Sequence, residues 1–235
     1  MIEFKNLHKK FGKLTVLDGL DLSIKKGGIF AILGPNGSGK TTLIKCLLGM
    51  VIPQKGVISY NNKNVLRKWE YRNDLNYLPQ IANFPPNLTV EELIKMVKNL
   101  RPKESNEQEL IDLFGLNDSL QKKLGNLSGG TKQKVNIVLT FMFDSHLIIL
   151  DEPTNGLDPI ALIHLKELIQ KEKTKGKTIL ITTHIMSFVD EVADEIVFLL
   201  DGKIYFKGSV EDLKKQTNND NLEHAIANLI SKQYA

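Results

Sequence analysis

The stretch GGIFAILGPNGSGKTTLIKCLLGM, from Gly27 to Met50, constrains this chain more than any other. Its apolar run GGIFAILG reads as a strand covered on both faces, and its glycines as a tight loop. In TTLIKCLLGM the apolar residues recur at helical spacing. A strand–loop–helix unit of this kind calls for a largely parallel sheet with helices packed on it. The loop fits G-x-x-x-x-G-K-[ST] from Gly34 to Thr41, in the context the pattern requires. Gly34, Gly37 and Gly39 free the backbone to curl, so the loop Gly34, Pro35, Asn36, Gly37, Ser38, Gly39 can turn N–H groups toward phosphate oxygens. Lys40 supplies a mobile charge for β- and γ-phosphates. Thr41 offers a hydroxyl to Mg²⁺, and Thr42 one to the α-phosphate. These residues predict a nucleoside triphosphate site.

A second buried strand, LIILDE, brings Asp151 to its carboxyl end, where a fold of this class puts its ligands and where the carboxylate can hold the Mg²⁺ shell. Glu152 follows and is placed to polarise a water as general base. Of the five histidines, His184 stands out because it ends the apolar strand ILITTH and so shares a sheet edge with Asp151. Neutral, it can bond the γ-phosphate or the attacking water. His8, His146, His164 and His224 read as structural or solvated.

The rest of the chain follows an α/β rhythm over one domain. Residues 1–82 and 135–208 read as core, 83–134 as an inserted helical lobe, and 209–235 as a helical tail. Ile2 to about Lys26 reads as short strands with turn signals FGK and DGL. Thr89 to Glu92 spell a capping box that opens the helix VEELIKMVKNL. Composition is ordinary for a globular domain, with 42% hydrophobic and 25% charged residues. The net charge of +4 comes from interspersed Lys and Glu, which describes a solvated surface rather than a nucleic-acid face. Cys46 is the single cysteine, so an intrachain disulfide is excluded, and its place on an apolar stripe predicts burial. The N-terminus lacks the h-region of a signal peptide, and the apolar runs are too short to span a bilayer; a cytoplasmic location is expected.

One feature duplicates the first. NLSGGTKQKVNIVLTFMF, from Asn126, is again a glycine loop entering a helix, which aims bare amides and a positive helix end at one spot. With it the motifs run in order: GPNGSGKT, Gln80 in YLPQ, LSGG at Leu127, LIILDE, NGLD ending at Asp158, and His184. This series resembles the ATP-binding subunits of ATP-binding cassette (ABC) transporters over about residues 1–210. The resemblance implies a P-loop ATPase fold with a mostly parallel core sheet, an N-terminal antiparallel β subdomain and the helical lobe. It implies ATP and Mg²⁺, with Thr41, Gln80 and Asp151 around the metal, and hydrolysis by Glu152 and His184. It also implies a head-to-tail homodimer, in which Ser128, Gly129, Gly130 and Asp158 serve the ATP held by the partner's phosphate loop. The adenine would stack on Phe11 in KKFGK. An integral membrane permease would be the working partner, holding the chain at the inner face of the membrane.

Three positions depart from the commonest pattern: Thr131 after the signature glycines, where glutamine is frequent, Asn155 in the D-loop, where serine is frequent, and Phe11, where the adenine-stacking aromatic is often tyrosine. None of these removes a group that hydrolysis needs. A cassette ATPase acting on ribosomes or nucleic acid is the competing class; such relatives carry paired cassettes or long coiled coils. An exporter ATPase for some other cargo is a further alternative. The phrases LSGGTKQKVN, LPQIANFP and ITTHIMS are similar to the cassette ATPases of nitrous-oxide-reductase maturation, which serve copper-site assembly. In QIANFPPNLTV, Ile81, Phe84 and Leu88 either dock on a permease or pack inside the lobe.

Overall fold

The computed structural model describes residues 2–101 and 103–234, with side chains throughout these except at 230 and 232–234. In chain order the elements are β1 (Ile2–Phe11), β2 (Leu14–Ile24), β3 (Gly28–Leu33), α1 (Lys40–Leu47), β4 (Lys55–Tyr60), β5 (Lys63–Asn64) and β6 (Leu75–Leu78). Then follow α2 (Val90–Leu100), α3 (Glu107–Leu113), α4 (Gly129–Phe141), β7 (Leu147–Asp151), α5 (Pro159–Thr174), β8 (Thr178–Thr183) and α6 (Met186–Val192). The chain closes with β9 (Glu195–Leu200), β10 (Lys203–Gly208), α7 (Val210–Thr217) and α8 (Leu222–Tyr234).

Six strands form the main sheet in the order β10-β9-β3-β8-β7-β6, and all its pairs are parallel except β10 with β9. A separate four-stranded antiparallel sheet has the order β2-β1-β4-β5. The central strands are continuously apolar because both faces are covered. Along β3, Phe30 and Ile32 join α1 and the antiparallel sheet in one cluster. Ile29 faces the opposite layer with Ile148 and Ile179, under α2, α3, α4 and α5. Ala31 and Leu33 meet α6, α7 and α8. No helix among the described residues is long and apolar enough to cross a membrane.

The helix signals act where the residues place them. Thr89 Oγ1 accepts from Glu92 N–H while the Glu92 carboxylate accepts from Thr89 N–H, so both donors at the start of α2 are satisfied. Pro159 opens α5 behind the cap Asp158, and Gly176, at φ 78°, lets the chain turn away after it.

The N-terminal segment differs from the sequence reading. It forms two strands of ten and eleven residues rather than several short ones. Gly19 of DGL lies at φ 65° and Asn6 at φ 47°, and both fall at register shifts within the β1–β2 ladder. These are bulges, not strand ends. His8 Nδ1 accepts from Gly19 N–H and Asp21 accepts from Asn6 N–H, so side chains satisfy the amides the bulges free.

Cys46 is buried, and burial pushes its thiol up to about 11, which keeps it protonated and unreactive. Phe84 and Leu88 are partly buried against the core cluster, whereas Ile81 is 68% exposed.

Candidate active site

Strand β3 delivers the phosphate loop to the carboxyl edge of the sheet. A Cβ at Gly34 would stand 2.0 Å from the Leu199 carbonyl oxygen, so only glycine fits. Gly39 lies at φ 109°, where a Cβ would be 2.9 Å from the Val16 carbonyl oxygen. The loop is thereby pressed against β9 and β2, and α1 begins at once with Lys40. The buried Lys40 ammonium donates to the Gly34 carbonyl at 2.7 Å and the Pro35 carbonyl at 3.1 Å. Burial lowers its pKa, and the negative charges of Glu152 and Asp151 oppose that shift. Ser38 is buried beside it, with its hydroxyl lacking a hydrogen-bond partner.

The acids arrive by register. In the parallel ladder Leu33 pairs with Thr183 and Asp151 with Thr182, so three strand ends meet on one edge. Asp151 Oδ1 accepts from Thr41 Oγ1 at 3.3 Å and from the Thr182 hydroxyl. Asp151 Oδ2 is buried without a donor. Burial raises this carboxyl above the usual range; the two hydroxyls act against the rise and Glu152 adds to it.

Glu152 is buried and adopts φ 51°, a left-handed conformation that costs a bulky residue about 1–3 kcal/mol. Its N–H donates to the Thr182 carbonyl at 2.9 Å, and its own carbonyl accepts from Asn155 N–H at 3.3 Å. The strained turn swings its carboxylate away from that of Asp151 toward His184. His184 Nδ1 lies 3.0 and 3.1 Å from the two Glu152 oxygens. An ionised carboxylate only accepts, so Nδ1 carries the proton and Nε2 is left for another partner.

A cleft of about 440 Å³ gathers Phe11, Asn36, Gly37, Gly39, Lys40, Thr41, Thr42, Gln80 and Glu152. Phe11 is 49% exposed at its rim, with Lys9 Nζ 4.8 Å from the ring centroid. Asp151 joins this group through Thr41, and His184 through Glu152.

The signature residues do not line the cleft. Ser128 caps α4 by accepting from Thr131 N–H at 3.2 Å, and both Ser128 and Gly129 are exposed. Gly130 packs so closely on the loop after β7 that a Cβ there would lie 2.6 Å from the Gly156 carbonyl oxygen. Gln133 donates to the Pro153 carbonyl at 2.9 Å, and Lys134 pairs with Asp158 at 2.7 Å. Asn136 donates to the Pro79 carbonyl at 3.0 Å, one residue before Gln80. Helix α4 is thus tied to the segments that carry Gln80, Glu152 and Asp158.

Sequence reasoning passed over Thr182 and Lys134. The signal for Thr182 was a hydroxyl near the carboxyl end of a largely apolar strand, and the register sets it directly opposite Asp151. Lys134 carried no signal, because its pairing with Asp158 depends on how α4 meets α5.

Comparison with known proteins matches residues 17–155 to the family model described as ABC transporter. A lantibiotic transport ATP-binding protein of Streptococcus pyogenes, SrtF, is 37% identical over 98% of this chain and 97% of its own length. A solved ATP-binding subunit of an ABC transporter superposes with a TM-score of 0.89 at 32% identity, covering 98% of this chain and 99% of that one. An ATP-binding cassette solved as a dimer in a post-hydrolysis state with ADP and Pi superposes at 0.80 with 26% identity, over 89% of this chain and 98% of that one. With the family model matched over more than half of the chain and these relatives over nearly its whole length, the chain belongs to the ABC transporter family, as one of its ATP-binding, ATP-hydrolysing subunits.

Proposed function

We propose that two copies of this chain close around two ATP molecules and that hydrolysis lets them part, driving a separate membrane permease. The separation of the signature loop from the cleft carries this reading. Ser128, Gly129 and the first amides of α4 form an exposed cap outside the cleft that the phosphate loop lines, and a partner's γ-phosphate fits that chemistry. The dimeric post-hydrolysis relative supports it.

Within one copy, Gly34, Pro35, Asn36, Gly37, Ser38 and Gly39 wrap the phosphates, Lys40 neutralises them, and Thr42 adds a hydroxyl. The donors suit Mg²⁺, a hard cation that takes oxygen ligands: the Thr41 hydroxyl, the Gln80 amide oxygen and the orphaned Asp151 Oδ2. Bound there, Mg²⁺ would neutralise charge on the phosphates. Glu152 takes the proton of the attacking water, and His184, held by Glu152, orients water or phosphate through Nε2. Phe11 presents a stacking face to the adenine, and Asp158 reaches the partner across the interface. Residues 83–134 act as the lobe that carries the signature loop, and helices α7 and α8 as a brace behind the sheet.

The permease holds the chain at the inner face of the membrane and selects the cargo. Three short phrases point toward copper-site maturation of nitrous oxide reductase, whereas the match to a lantibiotic transport protein spans almost the whole chain. The reading carried furthest is therefore the ATPase of a permease, with cargo set by that partner.

Glu152→Gln tests the chemistry, since it keeps size and hydrogen bonding but removes the base. ATP should still bind, while turnover falls by about 10²-fold or more. Turnover near the parent's would show that another group activates the water.

A further inference from the structure

A cavity of about 640 Å³ lies away from the ATP cleft and shares no lining residue with it. It is bounded by the β4–β5 hairpin on one side and the segment 65–74 on the other. Trp69 forms one wall and is 63% exposed. Lys63, Arg67 and Lys68 line the cavity, and none of them forms a salt bridge among the described residues.

The two acids present are already engaged. Asp74 accepts from the Tyr60 hydroxyl at 2.7 Å, and Glu70 from Trp69 N–H at 3.1 Å. Glu70 also feels the charge of Lys68, and the three cations Lys63, Arg67 and Lys68 against the two carboxylates leave the excess charge facing the cavity positive.

The walls are built rather than loose. Tyr60 and Tyr71 sit with centroids 6.4 Å apart, and the Tyr71 hydroxyl donates to the Leu47 carbonyl at 2.5 Å. Asn64 Oδ1 accepts from Leu66 N–H at 2.9 Å, and the Val65 carbonyl accepts from Lys68 N–H at 3.1 Å. Between them Arg67 is held at φ 59°, a strained conformation for a bulky residue. A concave site of this volume suits a small organic molecule rather than a flat surface. An exposed indole offers a stacking face, and Arg and Lys outside any salt bridge favour phosphate.

We propose that this cavity binds a mononucleotide, with the base stacked on Trp69 and the phosphate held by Arg67, Lys63 and Lys68. The site is separate from the ATP cleft and serves a nucleotide that is not hydrolysed there.

Trp69 is the only tryptophan of the chain, so its emission reports this cavity alone. The test titrates the full-length protein with AMP, adenosine or inorganic phosphate, exciting only the tryptophan. AMP should change the emission saturably, and adenosine or phosphate at the same concentration should not. Arg67→Gly suits the positive φ and keeps the fold; it should weaken AMP about tenfold and leave basal ATPase unchanged. Lys40→Ala should lose ATP in the cleft yet keep the Trp69 response, which separates failure of one site from failure of the other. The proposal is overturned by no saturable AMP response, by an equal response to phosphate alone, or by a response that needs Lys40. It is overturned too by unchanged AMP affinity in Arg67→Gly, or by a response to anionic phospholipid vesicles without one to AMP.

Discussion

Asp151 holds one oxygen against two hydroxyls and buries the other with no donor, while Glu152 stands next to it. Burial raises its folded-state pKa. A raised folded value means the group favours folding most at low pH, and that contribution fades as pH climbs through the folded pKa. Asp151→Asn removes this dependence. Without Mg²⁺ or nucleotide, the melting temperature of Asp151→Asn relative to the parent should therefore rise from acidic to neutral pH. Thermal melts at several pH values check it; a difference that is flat or falls with pH would mean that the fold does not resist this charge. The residue types of the site were legible in the sequence because the loop and strand motifs fix them by spacing. The strained φ of Glu152 and the Thr182 bond were not, since both arise only when β7 and β8 are in register.

At the scale of elements, the entry of α4 is set by two adjacent glycines in different surroundings. A Cβ at Gly129 meets nothing within 4 Å, whereas one at Gly130 runs into the Gly156 carbonyl at 2.6 Å. Gly130→Ala should cost about 1 kcal/mol or more, because backbone must move to admit the methyl. Gly129→Ala should change stability by no more than about 0.5–1 kcal/mol, in the stabilising direction if at all. Urea denaturation of the two variants separates them, and equal stabilities would argue against the close contact of α4 with the loop after β7. Helices with local signals, such as α2 with its capping box, could be read directly. The end of α7 was harder: Ser209 and Asp212 form a capping box, and Asn218 at φ 52° divides the tail into two helices. The polar run KKQTNNDN hides that division, because the apolar residues on either side pack on the same sheet layer. Bulges in β1 and β2 misled in the opposite way, since glycine at positive φ looks the same in a bulge as in a turn.

Across the whole molecule, one hydrophobic cluster runs from Leu93, Ile94 and Leu110 to Ile148 and Ile179, so the helical lobe and the main sheet share a core. Composition and periodicity mark the lobe's helices but cannot show that sharing, which depends on contacts between distant segments. Nor could they show that a phosphate loop and a signature helix in the same chain stand apart. On that separation rests the proposal that each ATP is held by the phosphate loop of one copy and capped by the signature helix of another. Asn36 and Asn126 are exposed beside those two features. In a Cys46→Ser, Glu152→Gln background, Asn36→Cys and Asn126→Cys copies are mixed, with a short thiol cross-linker, in the presence or absence of ATP. Covalent dimers joining residue 36 of one copy to residue 126 of the other should form, and only with ATP. Monomers alone under both conditions, or dimers indifferent to ATP, would contradict that proposal.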